Sequence, residues 1–281
     1  MKILFTGATG FLGRYIVPEL LKKGHDIIIV SSKTKNDAQL NGVKFLNYEI
    51  KPIKDNTNLF EYFDYPDIVL HFAWWGLPNY NSIHHLTECL PASLYFLNNL
   101  IENGLSKVVI AGTCFEYGLK EGELLESDDT NPVTLYGMSK DVLRKSIEKI
   151  TEKNNCEFAW LRFFYVYGEG QLSSSLYTQL KTAVVEGEET FKMSKGSQLR
   201  DYLSVTTLAQ YVAKIVEKLD CRGIINVCSG KPISVESKVQ SLLQEWEGDI
   251  KLEKGYYQIP DYEPINFWGN NQKLKNLLVN E

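Results

Sequence analysis

Tyr136 and Lys140, four residues apart in the segment "YGMSK", are the side chains best suited to move a proton. Four residues is about one helical turn, so both side chains lie on one face of a helix. A tyrosine alone is a poor acid or base at neutral pH, but a nearby ammonium stabilises the phenolate and lowers the tyrosine pKa. Tyr177 and Lys181 share this spacing, but no strand end bearing a hydroxyl precedes them. We therefore interpret that second pair as an ordinary helix face.

The segment "AGTCFEYG", residues 111–118, precedes this helix and is the second candidate for chemistry. It follows the apolar run "KVVI", so it is typical of a buried strand that ends in a loop. It brings a threonine, a cysteine, a phenylalanine and a glutamate to the strand end. An acidic loop containing Pro132 separates it from Tyr136, which places both segments in one candidate site.

The segment "TGATGFLG" lies between a short β-rich run and a helical pattern, the position of a dinucleotide-binding loop. In such a loop the first glycine permits a tight turn, and the second lets the backbone approach a pyrophosphate. The third lets the helix pack on the strand, and the helix N-terminus carries a partial positive charge. The residues expected to hold the cofactor here are Gly7, Thr9, Gly10, Phe11, Leu12 and Gly13.

The end of the second strand bears on which dinucleotide binds. An NAD site usually places an acidic residue there to hold the ribose 2′-hydroxyl. Here "DIIIVSSK" ends in Ser31, Ser32 and Lys33, and Asp26 stands at its beginning. Hydroxyls and an ammonium suit a 2′-phosphate, so these three residues favour NADP over NAD, although a solvated loop that binds nothing would look the same.

The elements around these motifs alternate between strand-like and helical runs, a pattern that predicts an α/β fold with a parallel sheet. Residues 1–165 are expected to form a Rossmann-type, doubly wound dinucleotide-binding domain. Beyond Gly168 the regular alternation ends, so residues 166–281 are expected to build mainly a smaller α/β substrate lobe. Segments at about 200–230 are expected to return to the first domain.

Composition excludes several classes of function. The chain has 281 residues and a formal net charge of −5, which argues against a nucleic-acid surface. No run approaches the length of a membrane span, and the N-terminal apolar stretch is too short for a signal peptide. Five scattered cysteines without a C-x-x-C pair fit a reduced cytoplasm. His84 and His85 are adjacent, so regular geometry directs them to different faces, and we expect no metal site.

Taken together, "TGATGFLG", "HFAW", "AGTCFEYG", "YGMSK", "LRFFYVYG" and "RDYLSV" resemble the extended short-chain dehydrogenase/reductases, over about residues 1–235. More narrowly they resemble the NAD-dependent epimerase/dehydratase group that acts on nucleotide sugars. The resemblance implies that Thr113 hydrogen-bonds the sugar, Tyr136 transfers the proton and Lys140 holds the nicotinamide ribose. It implies that Phe72, Ala73 and Trp74 border the cofactor, and that the protein is a homodimer.

The resemblance also points to a nucleotide-diphosphate sugar as the binding partner. Arg200 of "RDY" matches the arginine that grips the diphosphate, although an ion pair with Asp201 would be a purely structural alternative. Tyr165 and Thr206 depart from the residues usual in the group, which leaves the sugar and the base open. The candidate substrate contacts are Trp75, Asn79, Cys114, Phe115, Tyr165 and Arg200, with Trp74 and Tyr80 as further aromatic candidates that could instead only pack a lid.

Cys114 and Phe115 bear on the reaction. Family members that dehydrate the sugar carry an acid and a base directly after the hydroxyl residue, and neither phenylalanine nor an unactivated thiol replaces them. On an extended segment, Glu116 would point to the opposite side. The sequence therefore favours an NADPH-dependent nucleotide-sugar 4-ketoreductase acting on a 4-keto-6-deoxyhexose, in polysaccharide or deoxysugar biosynthesis. The alternatives are an NAD-dependent 4-epimerase and a non-catalytic dinucleotide-binding sensor or scaffold.

Overall fold

The computed structural model describes residues 1–32, 42–54, 56–218 and 223–279, and its central feature is a seven-stranded parallel sheet. The strands, in chain order, are β1 (Lys2–Thr6), β2 (Asp26–Ser31), β3 (Lys44–Asn47), β4 (Ile68–His71), β5 (Lys107–Thr113), β7 (Glu157–Phe163) and β11 (Gly223–Val227). Their spatial order is β11-β7-β5-β4-β1-β2-β3. The direction of winding reverses between β1 and β4, and ligands of such sheets bind at the carboxyl ends of the strands beside this reversal.

Helices cover both faces of the sheet, because its strands carry apolar side chains on both sides. Ile3 and Phe5 of β1 pack with the helices on one face, and Leu4 packs with those on the other. The first face is covered by α1 (Phe11–Lys22), α6 (Val205–Glu217) and α8 (Gln272–Val279); the second by α2 (Leu59–Tyr62), α3 (Leu90–Glu102) and α4 (Leu135–Lys153). The predicted doubly wound α/β class is confirmed.

The remaining elements form a smaller lobe with an apolar core of its own, which includes Leu180, Phe191 and Val239. Its elements are β8 (Tyr165–Tyr167), α5 (Leu176–Glu186), β9 (Thr190–Met193), β10 (Leu199–Ser204), β12 (Pro232–Ser234), α7 (Val235–Glu245) and β13 (Lys251–Lys254). A short pair, β6 (Gly122–Leu124) with β14 (Phe267–Gly269), lies between them and the main sheet. The chain returns to the large sheet with α6 and β11, and again with α8.

Two further observations concern the expectations drawn from composition. Within the described ranges, no helix combines the length and apolar character needed to cross a bilayer. Cys89, Cys114, Cys156 and Cys228 are buried free thiols, whereas Cys221 lies outside the described residues.

Candidate active site

Thr113 is the last residue of β5 and also the N-cap residue of the turn that follows. The chain leaves the strand as a 3-10 turn, Cys114–Tyr117, and the Thr113 hydroxyl accepts a hydrogen bond from the Phe115 N–H at 3.3 Å. Thr113 is buried at the carboxyl end of the central strand. The extended geometry predicted for this segment is therefore wrong, because capping closes the chain into a turn directly after Thr113.

Tyr136 and Lys140 lie in the first two turns of α4, on the face that packs towards β5. Thr134 caps this helix by accepting the Gly137 N–H at 3.0 Å. A Cβ on Gly137 would lie 2.7 Å from the Phe115 carbonyl oxygen, so glycine permits the helix to approach the turn this closely. Tyr136 is 8% exposed and Lys140 2%. The structure thus brings the three predicted catalytic residues together at one edge of the sheet.

The Lys140 ammonium contacts a backbone carbonyl oxygen and an aromatic ring. Its Nζ donates to the Ala111 carbonyl oxygen at 2.8 Å and lies 4.1 Å from the ring centroid of Trp74. Burial lowers the pKa of Lys140 to about 7, while Glu116 and Cys89 act in the opposite direction. Lys140 is therefore poised to change its charge near neutral pH.

Tyr136 differs from the expectation in its electrostatics. Burial raises the pKa of Tyr136 above its ordinary value, and only a hydrogen bond with the Thr113 side chain acts in the lowering direction. The expectation that Lys140 brings the Tyr136 pKa towards neutrality is thus wrong for this conformation. Desolvation of the phenol is the largest influence on this pKa, and Tyr136 is a neutral donor here.

The glycine loop fits a dinucleotide by its shape. Gly7 has a φ of +81°, and a Cβ there would lie 2.6 Å from the Phe72 carbonyl carbon and 2.7 Å from the Ala73 nitrogen. A Cβ on Gly13 would lie 2.3 Å from the Ala8 carbonyl oxygen, so helix α1 packs directly against the loop. The loop therefore brings bare backbone and a helix N-terminus to one place, as a pyrophosphate requires.

Three buried polar residues beneath this loop escaped the sequence analysis. The Thr6 hydroxyl contacts His71 Nδ1 at 2.9 Å, and His71 Nε2 contacts the Ser93 hydroxyl at 3.0 Å. Thr6 also accepts the Ala73 N–H at 3.3 Å, which holds the chain at the end of β4. Burial lowers the pKa of His71 to about 3, so this ring is neutral. Thr6 and His71 end β1 and β4 and are the first residues of "TGATGFLG" and "HFAW", but those motifs alone did not indicate this contact, and Ser93 lies within α3.

The other residues expected to hold the cofactor lie around the same edge. Thr9, Phe11, Leu12 and Gly10 form the turn into α1, and Phe72, Ala73 and Trp74 follow β4. Ser31 ends β2 beside Asn47 of β3, and Ser32 is exposed. Lys33, predicted to contact a 2′-phosphate, lies outside the described residues.

A cavity of about 400 Å³ opens at the carboxyl end of β3. Its lining mixes aromatic rings with charged groups, and its volume lies in the range of small-molecule sites. The residues that line it include Asn47, Tyr48, Glu49, Ile50, Lys51 and Tyr95. The strand β3 itself was not predicted, because "KFLN" is too short and too mixed to stand out.

His84 and His85 do not point to different faces, contrary to the prediction. Their ring centroids are 4.1 Å apart, and their nitrogens lie with the Cys89 sulfur within 4.8 Å of one another. The argument for different faces is wrong because the two residues flank the start of an irregular π-helical turn, His85–Cys89.

Hydrogen bonds nevertheless occupy the nitrogens that a metal would use. His85 Nδ1 accepts the Trp74 Nε1–H at 3.1 Å, and His85 Nε2 contacts the Asn79 carbonyl oxygen at 2.8 Å. His84 Nε2 contacts the Trp75 carbonyl oxygen at 3.1 Å. A nitrogen that binds a metal needs a free lone pair, and these nitrogens are engaged in hydrogen bonds. The bonds hold together the loop between β4 and α3. The absence of a metal site stays a prediction.

The predicted sugar contacts form an aromatic group beside Tyr136. The Phe115 ring stacks on Tyr80 with centroids 4.8 Å apart, and Tyr80 lies 5.7 Å from the rings of both Tyr136 and Tyr262. Trp75 and Asn79 are exposed on the same loop as Tyr80.

Cys114 is buried beside this group. Burial raises the pKa of its thiol. Neither Cys114 nor Phe115 can donate or remove a proton near neutral pH.

Arg200 does not face solvent, and its guanidinium is occupied by the chain. Nη1 donates to the Leu199 and Ile265 carbonyl oxygens at 2.8 and 2.9 Å, and Nη2 donates to Glu263 Oε2 at 2.8 Å. The partner is therefore Glu263 rather than Asp201, whose carboxylate accepts backbone N–H groups at the end of β11. Arg200 is 1% exposed and lies 5.4 Å from the Tyr165 ring.

Glu263 belongs to residues 255–266, the segment between β13 and β14, hereafter the β13–β14 segment. Its Tyr262 ring contacts Tyr80 and Phe115, so the segment covers the aromatic group from the side of the small lobe. No periodic signal marks this segment in the sequence, because it is rich in tyrosine and proline.

Comparisons with known proteins agree with this arrangement. Residues 3–228 match the model of the NAD dependent epimerase/dehydratase family. A dTDP-6-deoxy-L-talose 4-dehydrogenase (NAD(+)) from Aggregatibacter actinomycetemcomitans is 30% identical over 274 residues, covering 96% of this chain and 99% of the relative. A GDP-6-deoxy-D-talose 4-dehydrogenase from the same organism is 25% identical, covering 100% of this chain and 92% of the relative.

Among solved structures, the UDP-glucuronic acid 4-epimerase from Bacillus cereus, in complex with UDP-glucuronic acid and NAD, has a TM-score of 0.80. The two sequences are 21% identical, and the match covers 99% of this chain and 93% of the epimerase chain. This likeness shows a shared fold. The family description, the name of the dTDP-6-deoxy-L-talose 4-dehydrogenase and the Bacillus cereus complex all specify NAD, so NADP as the primary cofactor finds no support among them. The family match spans most of the chain, and the predicted membership is confirmed: the chain belongs to the NAD dependent epimerase/dehydratase family, whose members are nucleotide-sugar enzymes of the short-chain dehydrogenase/reductase type.

Proposed function

We propose that this protein catalyses reversible hydride transfer at C4 of a nucleotide-linked 6-deoxyhexose. The observation that carries the proposal is the content of the turn after β5, where Cys114 and Phe115 offer no acid or base. Glu116, the one carboxylate in this turn, is fully buried and hydrogen-bonded away from Tyr136. The site therefore holds the groups for moving one proton, and lacks at this turn the acid–base pair that dehydration needs.

Tyr136, Thr113 and Lys140 each have a separate role in the proposed reaction. When bound, the nicotinamide supplies or accepts the hydride at C4. In the direction of reduction, Tyr136 gives its proton to the C4 oxygen as the carbonyl becomes a hydroxyl, and Thr113 orients that oxygen by a hydrogen bond. In the direction of oxidation, the Tyr136 phenolate takes the hydroxyl proton, so this direction requires that the phenol first lose its own proton. Lys140, held by the Ala111 carbonyl oxygen, lies on the same helix face one turn after Tyr136 and would hold the nicotinamide ribose.

The two talose 4-dehydrogenases support both the carbon and the sugar class. Their names describe oxidation at C4 of a 6-deoxyhexose, which is the reverse of the 4-ketoreduction that the sequence favours. A nucleotide-sugar 4-epimerase is the second candidate, because UDP-arabinose 4-epimerase 1 from Arabidopsis thaliana matches 94% of this chain at 22% identity. Both reactions begin with the same hydride transfer.

We infer that NAD, not NADP, is the working cofactor. The relatives named above support NAD. Glu49 lines the cavity at the end of β3, and a carboxylate there disfavours a 2′-phosphate. Lys51, its ion-pair partner at 3.4 Å, offsets part of that charge.

The test is to incubate the purified protein with dTDP-, GDP- and UDP-linked 6-deoxyhexoses and with NAD⁺ or NADP⁺ in parallel. We expect net formation of NADH and a 4-keto sugar, faster than any formation of NADPH. Appearance of the C4 epimer without net NADH would overturn the dehydrogenase in favour of the epimerase. Faster turnover with NADP⁺ would overturn the choice of cofactor.

A further inference from the structure

Glu116 is a charged side chain at the centre of the site that the proposed chemistry does not use. It is 0% exposed. One carboxylate oxygen, Oε1, accepts two hydrogen bonds, from the Thr113 backbone N–H and from the Trp160 Nε1–H, both at 2.8 Å. With the bond from Phe115 to the Thr113 hydroxyl, this forms a reciprocal capping box around the turn. Glu116 thus holds the residue that is expected to orient the substrate.

The other oxygen of Glu116 compensates a buried cation. Its Oε2 accepts the Arg162 Nε–H at 2.8 Å and lies 3.9 Å from Arg144 Nε. Arg162 comes from β7 and is itself fully buried, with its guanidinium 4.3 Å from the Tyr117 ring centroid. The carboxylate therefore ties the turn to the neighbouring strand by charge-assisted hydrogen bonds, which are the stronger kind.

The backbone leaves room for this arrangement at one position. A Cβ on Gly112 would lie 2.1 Å from Trp160 Nε1 and 2.8 Å from Glu116 Oε1. Any side chain there would displace one of the two groups. Gly112 is therefore required by the carboxylate network and not by an unusual backbone angle.

Glu116 also acts on Lys140 through its charge. The groups that face Lys140 are Glu116 from the 3-10 turn, Cys89 and His85 from the π-helical turn, and His71 from β4. Glu116 is the largest of the influences that raise the Lys140 pKa against the effect of burial.

We propose that Glu116 is the positioning residue of this active site: it fixes Thr113 at the end of β5 and places a buried negative charge at the strand end to which Lys140 is hydrogen-bonded. Its carboxylate is fully buried and bonded to groups of the protein, so it acts through those two residues. This inference rests on the proposed function, because it assumes that Thr113 and Lys140 serve hydride transfer.

The variant Glu116→Gln tests the proposal. The amide oxygen of glutamine can still accept the bonds from Thr113 and Trp160, but the charge is gone. We expect kcat to fall about 10- to 100-fold, because small misplacements in an active site have effects of this size. We also expect the alkaline limb of the kcat–pH profile to move to lower pH, since Lys140 without Glu116 loses its proton earlier.

Two further variants separate positioning from stability. Glu148→Gln removes another carboxylate that pairs with Arg144, at 3.1 Å, but Glu148 lies outside the turn. It is expected to keep the wild-type kcat and pH profile. Trp160→Phe removes one donor to Glu116 and keeps the charge, so kcat should fall less and the alkaline limb should stay in place. Circular dichroism and the thermal shift with NAD⁺ report whether each variant is folded.

The outcomes are distinct. A folded Glu116→Gln protein with wild-type kcat overturns the proposal, and so does a lower kcat with an unmoved alkaline limb. If Glu116→Gln does not fold, Trp160→Phe decides: a lower kcat at unchanged KM supports the positioning role, and wild-type kcat overturns it. Failure of the proposed function looks different, because the wild-type protein itself would then show no hydride transfer with any sugar tested.

Discussion

The two sides of the active site are held by different kinds of contact. On the catalytic side, Thr113, Tyr136 and Lys140 come from β5 and α4 of the large domain, where Glu116 accepts the Thr113 N–H and Lys140 donates to the Ala111 carbonyl oxygen. On the substrate side, Arg200 is neutralised by Glu263 of the β13–β14 segment. The first side is built from the sheet and its helices. The second is closed by a segment without regular structure. In this segment, the Glu263 carboxylate pairs with Arg200, the residue expected to bind the substrate's diphosphate.

This difference indicates which part of the site must rearrange when the substrate binds. Glu116 satisfies three donors inside the core, so its replacement disturbs a packed region. Glu263 has a side chain that is 17% exposed, and binding of a diphosphate to Arg200 requires that this contact opens. The fixed arrangement around Glu116 is therefore expected to govern kcat. The competition between Glu263 and the substrate's diphosphate for Arg200 is expected to govern KM.

The largest effect is expected on the catalytic side, from Tyr136→Phe. Removing the phenol hydroxyl removes the proton donor, so kcat should fall by about 10³-fold, within the range usual for acid–base groups. Binding of NAD⁺, followed by thermal shift, should persist because the glycine loop is untouched. Retention of most of the wild-type kcat would show that another group transfers the proton.

A smaller effect is expected from Gly112→Ala, which tests the packing behind the catalytic side. The new methyl group would overlap Trp160 Nε1, so the free energy of unfolding should fall by about 1–3 kcal/mol, the usual cost of overpacking. Urea unfolding measures it. Gly248→Ala is the matched control, since its nearest atoms are side-chain ends of Val184 and Leu243 at 3.0–3.2 Å. Equal losses in both variants would contradict the tight fit at Gly112.

The smallest effect is expected on the substrate side, from Glu263→Gln. Loss of the competing charge should lower the KM for the nucleotide sugar about threefold to tenfold, equivalent to roughly 1 kcal/mol, and leave kcat near its wild-type value. Initial rates over a range of sugar concentrations measure both constants. Glu253→Gln, on the exposed side of β13, is the control. A higher KM in Glu263→Gln would mean that Glu263 orients Arg200 for binding instead of blocking it.

Two predictions from the sequence concern the whole protein and stay predictions. The homodimer would form through helices such as α4, and the cytoplasmic location was inferred from composition alone. The division at residue 165 is also a prediction, although α6 and β11 lie on the large sheet as the returning segments should.

The sequence alone determined the features whose signals are local. A glycine loop between a strand and a helix, a tyrosine and a lysine one helical turn apart, and alternating apolar runs each follow from the geometry of a few neighbouring residues. These patterns predicted the sheet and the position of the cofactor loop, and the resemblance to a known family implied the grouping of Thr113 with Tyr136 and Lys140.

Only the tertiary structure decided what the buried charges do. Glu116 meets Arg162 across 46 residues, and Arg200 meets Glu263 across 63. Neither pair has a spacing that marks it in the sequence, because each forms only when separate strands and loops pack together. The same packing excludes water, and it is this burial that lowers the pKa of Lys140 and raises that of Tyr136. Desolvation depends on the whole fold, so the charges in the site could not be deduced from the residues that carry them.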